Sequence, residues 1–228
     1  MEKYKICNVS QLDYARSLSK KEKDEVEKTS SLIHIEKGDV VFLENEKLQN
    51  LYCIQDGICK FYTMDEKGKE HITKLLGEGE LMGRRSIIND EGAAVSARAI
   101  TDVTLFKIHK KPFLQSLKKN SSFCLDVLKG FMRDVKVEEE IKKTFYGQKG
   151  IKRKLASLLC YLSDKYGVEK NGSLRAKLRR ADMAGIIGTS SEYVINILKY
   201  FKQRNLIVME GRAIQIVSKK KLRSFAIN

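Results

Sequence analysis

No apolar stretch of the 228-residue chain reaches the roughly 18 to 20 residues needed to cross a bilayer, so no membrane-spanning helix is expected. The N-terminal residues include Glu2 and Asp13 and form no apolar h-region, so they lack the pattern of a secretory leader and point to a cytoplasmic protein. Cysteine is sparse and scattered: Cys7, Cys53, Cys59, Cys124 and Cys160 form no CxxC pair, and none stands with a histidine at zinc-finger spacing. A disulfide scaffold and a structural zinc both need closer spacing, so neither is expected and no metal site is assigned. The chain also lacks a P-loop, a GxSxG elbow, an HExxH helix and any nucleophile matched to a base, which argues against an enzyme. An enzymatic reading would have to rest on Cys53 or a histidine.

What the chain has in excess is positive charge, concentrated at one end. Residues 1–147 carry 26 Lys and Arg against 24 Asp and Glu, whereas residues 148–228 carry 18 against 5, a net +13. A segment this lopsided suits a polyanion, and nucleic acid is the first choice. The alternative partners of such a surface are an acidic protein or an anionic membrane face. At 42% hydrophobic and 32% charged residues, the composition is that of a globular protein of one large or two modest domains.

Periodicity divides the chain further. From about residue 32 to 110, short apolar runs (Val40 to Leu43, Leu51 to Ile54, Ile58 to Tyr62, Ile72 to Leu76, Val103 to Ile108) alternate with turns such as Lys37-Gly38-Asp39, Asp56-Gly57 and Gly77-Glu78-Gly79. Asp-Gly between two such runs predicts a hairpin, and strands at intervals of about ten residues predict an antiparallel roll or barrel. From Pro112 to about Phe145 the spacing turns helical, with Leu125, Leu128, Met132 and Val135 on one stripe. A stripe on so long a helix needs a partner, either its own β module or the same helix of a second copy; Leu128, Met132 and Val135 are the expected dimer seam. The domains expected are 1–147, a sensor roll with its dimerisation helix at about 112–145, and 148–228.

The second domain begins with a helical run whose core face is Leu155, Leu158, Leu159 and Leu162, followed by a polar turn at Asn171-Gly172-Ser173. Two helical segments then flank Gly188-Thr189, with Ser190 as N-cap of the second, and two short runs about Gly211 form a wing. This is the pattern of a winged helix-turn-helix, whose second helix enters the major groove with its N-terminal residues at the base edges.

With these residues in hand, the chain is similar to the Crp/Fnr superfamily of bacterial transcription regulators. EKGDVVF (36–42), LYCIQDGICKFYTMDEKGKEHITKLLGEGELMG (51–83) and SARAITDVTLFKI (96–108) resemble the family's cyclic-nucleotide-binding roll. RRADMAGIIGTSSEYVINILKYFKQRNLIVMEGRAIQIV (179–217) resembles its winged helix-turn-helix. The resemblance runs from about Ile33 to Val217 and implies an α+β fold: an N-terminal antiparallel β-roll of jelly-roll type, a long dimerisation helix and a C-terminal winged helix-turn-helix. It also implies a homodimer on a palindromic operator in double-stranded DNA, with RNA polymerase as partner; an activator is the first reading and a repressor the alternative.

The resemblance places Ser191, Glu192, Tyr193 and Asn196 at the base edges. Glutamate can accept from cytosine N4 and asparagine can pair with adenine. Many relatives carry arginine where Asn196 stands, so their operators do not transfer. Arg179, Arg180, Ser190, Lys199 and Arg212 are the phosphate candidates, which position rather than specify.

The effector region departs from the family pattern. Gly83-Arg84-Arg85 stands where relatives have Gly-Glu-Leu, and Ala93-Ala94 where they have the Arg-Ser pair that holds the cyclic phosphate. A buried phosphate without charged partners is costly to desolvate, so ordinary cAMP binding is not expected, and Glu139 and Glu140 on the long helix point the same way. Four readings of the signal remain. One is another anion held by Arg84, Arg85, Arg98 or His71. An iron-sulfur cluster is disfavoured, because Cys53 and Cys59 are the only close pair. A third is a thiol switch between Cys7 and Cys124, or haem on His34, His71 or His109. The last is no ligand at all, and no cofactor is assigned.

Overall fold

A computed structural model describes residues 16–66, 68, 70–146 and 150–227, leaving aside the side chains of 138, 140–146 and 227. The alternating segments become strands β1 (Ser31–Ile35), β2 (Val40–Phe42), β3 (Asn50–Asp56), β4 (Cys59–Met64), β5 (Glu70–Leu76), β6 (Leu81–Met82), β7 (Ser96–Ala99) and β8 (Val103–His109). They form two four-stranded sheets, ordered β1-β8-β3-β6 and β2-β7-β4-β5. Antiparallel β8 is central to the first, with Ile33 opposite Leu105 on one side and Leu51 opposite Ile108 on the other. Leu51, Ile54, Cys59, Met82, Ala97 and Leu105, drawn from both sheets, are fully buried, so the core lies between the sheets as a roll requires.

The Asp56-Gly57 pair does not close the hairpin expected of it. β3 and β4 lie in different sheets, and the turn carries the chain from one to the other. Gly57 has φ +95°, and a Cβ there would lie 2.4 Å from the Asp102 carbonyl oxygen, so only glycine lets the turn pack on that backbone. The chain is held in this course by Ile58 N–H donating to Thr101 Oγ1 (2.9 Å) and Ile100 N–H to the Ile58 carbonyl (2.8 Å). Non-local pairing of β3 with β8 has displaced the local hairpin because it buries Leu51, Cys53 and Ile54.

The helix expected over about 112–145 is two helices, α3 (Lys110–Lys119) and α4 (Ser121–Tyr146), after the earlier α1 (Lys20–Lys28) and α2 (Arg84–Asn89). Helix α3 starts before Pro112, which lies in its first turn, where a missing N–H leaves nothing unpaired. Asn120 makes the break with extended backbone (φ −119°, ψ 98°). Its Oδ1 accepts from Phe123 N–H (3.0 Å) and its Nδ2 donates to the Ser17 carbonyl (2.9 Å), so a side chain that competes with the backbone ends one helix and caps the next.

The C-terminal elements are α5 (Ile151–Tyr166), α6 (Arg180–Ile187), α7 (Ser191–Gln203), β9 (Ile207–Glu210), β10 (Ala213–Ile216) and α8 (Lys219–Ile227). Leu155, Leu158, Leu159, Leu162, Leu178, Met183, Val194 and Phe201 are fully buried and form its core. The tail beyond Val217, which the resemblance left out, belongs to this core: Leu222 is fully buried, and Phe225 meets Phe201 edge-on with ring centroids 5.4 Å apart. Burial alone would raise the Asp164 carboxyl, but bonds from Lys219 (2.5 Å) and Arg223 (2.7 Å) outweigh it and hold the group below its ordinary value. The chain divides into two compact units, residues up to Tyr62 with Lys74–Val135, and Thr63–Thr73 with residues from Lys136 onward.

Candidate nucleic-acid interface

Local chemistry builds the helix-turn-helix. Gly188, in the left-handed region at φ +72°, ends α6, and its N–H donates to the Ala184 carbonyl. Ser190 then adopts extended backbone, and its Oγ accepts from Tyr193 N–H (3.2 Å), starting α7 as the sequence predicts. Val194, Ile197, Leu198 and Phe201 face the core, which fixes the opposite side of α7 toward solvent. Glu192, Tyr193, Asn196 and Lys199 are exposed there, and Ser191 is half-buried at the first turn. The β9–β10 wing pairs Ala213 with Glu210 and carries exposed Arg212 at its tip.

The two arginines that open α6 are placed differently. Arg179 precedes the helix and donates to Asp182 through Nε (3.0 Å) and Nη2 (2.8 Å), and to Glu70 through Nη2 (2.6 Å). These carboxylates raise its pKa, the Asp182 bond first. Arg180 is half-buried, and its Nη2 donates to the Gly211 carbonyl (3.0 Å) at the wing tip, while its buried Nη1 has no hydrogen-bond partner. Burial, followed by the charge of Arg212, lowers its pKa. Arg180 thus holds the wing as well as presenting charge. Arg180→Ala is expected to weaken binding to all duplexes alike and to reduce the salt slope by more than about one phosphate's worth, because Arg212 is displaced with it. Titrating affinity against salt for Arg180→Ala, Arg212→Ala and the double variant checks this; strictly additive slopes would contradict it.

In the roll, Gly83 (φ +86°) starts α2, and Arg84 is buried rather than on the surface. Its Nη2 pairs with Asp134 of α4, and its guanidinium lies 4.6 Å from the Phe131 ring centroid. Lys74 Nζ stands 3.9 Å from both Asp134 and Glu80. Arg85 and Ala94 are exposed, and Ala93 is buried, its backbone paired with Asn45 and Glu46. Arg98 lies opposite Lys60 in the β4–β7 register, and both cations flank the Tyr62 ring, at 4.8 and 5.4 Å. Lys60 is 2% exposed and was not singled out from sequence, since an isolated lysine in an apolar run gives no sign of which face it takes.

Breaking a buried pair by removing one partner leaves an uncompensated charge. Asp134→Asn is expected to destabilise the N-terminal unit by about 2 kcal/mol, at the low side because Asp134 is 29% exposed, whereas Arg84→Met should cost less than about 1 kcal/mol. Urea unfolding of the two variants separates them, and equal losses would refute the pairing argument.

The other candidates are dispersed. Cys53, Cys59 and Cys160 are buried cysteines outside any disulfide, and burial pushes the Cys59 thiol up to about 12, which suits packing rather than chemistry. Cys124 is exposed on α4, while Cys7 lies outside the described residues. His34 bonds Thr104 Oγ1 (3.1 Å), His71 pairs with Asp65 (2.9 Å), and His109 accepts from Lys111 N–H (3.2 Å) as the cap of α3. No cluster of three His, Cys, Asp or Glu suited to a metal occurs among the described residues. On α4, Leu125, Leu128, Met132 and Val135 are each between 47% and 58% exposed, while Phe123, Val127 and Phe131 pack on the roll core.

A double-sheet roll followed by a winged helix-turn-helix is the architecture of a DNA-binding transcription regulator. Family models agree in both parts: the cyclic nucleotide-binding domain matches residues 32–120 and the Crp-like helix-turn-helix domain residues 153–225. The chain is 24% identical over 223 residues to the fumarate and nitrate reduction regulatory protein of Vibrio cholerae, covering 96% of this chain and 88% of that one. It is 23% identical over 189 residues to a CRP-like cAMP-activated global transcriptional regulator of Mycobacterium tuberculosis, covering 82% of this chain and 84% of that one. In fold it is similar to FixK2 from Bradyrhizobium japonicum (TM-score 0.73, 16% identity, 86% of this chain and 96% of that one). A crp/fnr-family transcriptional regulator from Eubacterium rectale gives a TM-score of 0.76 at 17% identity, with 93% and 97% covered. The chain belongs to the Crp/Fnr family of transcription regulators, and it is a DNA-binding regulator, not an enzyme. No helix among the described residues is long and apolar enough to cross a membrane.

Proposed function

We propose that this regulator acts in the cytoplasm as a homodimer on a palindromic operator, with the two α7 helices one turn of DNA apart. Ser191, Glu192, Tyr193 and Asn196 read bases, and Arg179, Arg180, Ser190, Lys199 and Arg212 hold phosphates, with Arg179 first having to release its carboxylates. The observation that carries the reading is the exposed polar face of α7, set in a segment of net +13. The exposed stripe Leu125, Leu128, Met132 and Val135, spaced by three and four, supports a second copy as the partner of α4. RNA polymerase is the further partner that transcription activation requires.

Ordinary cAMP recognition is not part of this reading. Ala93 and Ala94 offer the cyclic phosphate no charge, and Arg84, placed where relatives carry a carboxylate, is engaged by Asp134. Arg98 beside Lys60 supports an anion of another kind as the signal; Arg85 and His71 complete the set of cations considered. A Cys7–Cys124 switch is the second reading, favoured by the exposure of Cys124.

The test is selection of bound sequences from random duplex DNA by purified, reduced protein with no ligand, repeated after oxidation. Enrichment of a palindrome by the reduced protein is expected. Binding without sequence preference under both conditions would refute specific readout, and loss of binding on oxidation would favour the thiol switch.

A further inference from the structure

Helix α7 exposes one aliphatic side chain on its polar face, and the other large apolar group it exposes is the ring of Tyr193. Ile195 is 39% exposed. At about 3.6 residues per turn, positions 191, 192, 195, 196 and 199 fall on one side of the helix, and the buried Val194, Ile197, Leu198 and Phe201 on the other. Ile195 therefore stands among Ser191, Glu192, Asn196 and Lys199, in the second turn of the helix.

A single exposed apolar residue on a protein surface is ordinary. This position is not an ordinary surface, because every neighbour on it is polar and the face is the one turned to DNA. A β-branched residue also lowers helix propensity, and a helix restricts it to essentially one χ1 rotamer. The result is a pair of methyl-bearing arms held at a fixed place on the reading face. The major groove presents one apolar group, the C5-methyl of thymine, and its other base-edge groups are donors and acceptors that an isoleucine would leave unpaired.

We propose that Ile195 reads a thymine C5-methyl group, making a T·A pair a required position in each half-site next to those read by Glu192 and Asn196. The proposal rests on α7 being the reading helix. It adds a residue that reads by apolar contact and by exclusion of cytosine and purines, whose polar edges would lose their water against it.

The test uses the duplex that the wild-type protein enriches, with each thymine of the half-site replaced in turn by uracil, which removes the methyl group and nothing else. One replacement should weaken wild-type binding about four-fold, the worth of one buried methyl group. Ile195→Ala should bind thymine and uracil duplexes equally, and Ile195→Val, which keeps the branch, should retain part of the difference; thermal melting of each variant verifies its fold. Sequence-specific binding that is indifferent to uracil everywhere would overturn the role of Ile195 while leaving the reading helix intact, as would an undiminished uracil penalty in Ile195→Ala. Absence of any sequence preference would instead overturn the proposed function, and this inference with it.

Discussion

Met132→Asp is expected to turn the protein into a monomer and to lower operator affinity by at least about 100-fold, the avidity lost when two linked half-site contacts become one. Met132 is 58% exposed, so the substitution removes no intrachain core contact and should leave folding within about 0.5 kcal/mol of wild type. Across a two-fold seam it would place a carboxylate from each copy in an apolar stripe formed by Leu125, Leu128 and Val135, where like charges are desolvated together. Light scattering gives the mass, and titration of the selected operator gives the affinity. A dimer with unchanged affinity would mean that α4 does not form the seam. A monomer that still binds tightly would mean that dimerisation is not needed to hold the site.

Replacing both Glu192 and Asn196 by alanine is expected to flatten sequence preference, with a loss of about 1–3 kcal/mol of discrimination at each base pair read. Nonspecific binding should persist and even strengthen, since Glu192 is an exposed anion on the helix proposed to meet the polyanion. The salt slope should change little, which distinguishes this pair from Arg180 and Arg212. Repeating the selection with the double variant reads the effect directly; an unchanged enriched sequence would refute the assignment of these two side chains.

The exposed polar face of α7 was legible because its determinants are local in sequence. Ser190 caps α7 through the N–H three residues on, Gly188 supplies the positive φ before it, and the 3.6-residue period separates Val194, Ile197, Leu198 and Phe201 from Glu192, Asn196 and Lys199. The same period placed Leu125, Leu128, Met132 and Val135 on one stripe, and all four are exposed. Arg84 and Ile195 were less legible. Arg84 read equally well as a surface cation, because its partner Asp134 is fifty residues away and only packing of α2 on α4 brings them together. Ile195 is one apolar residue among many, and its place becomes meaningful only when the buried side of α7 is known.

By itself, then, the sequence determined what depends on short separations: the basic C-terminal segment, the strand and helix periods, and the cap and turn of the helix-turn-helix. Tertiary structure decided what depends on long separations. It sent the Asp56-Gly57 turn between two sheets, where β3 pairs with the distant β8 and not with its neighbour in the chain. It broke the long helix at Asn120, whose side chain bonds Ser17, and drew α8 onto the C-terminal core through Leu222 and Phe225. It also set Lys60 against Arg98 and tied Arg180 to the wing. In each case a free energy gained between distant residues overrode or completed a local preference worth about 1 kcal/mol or less.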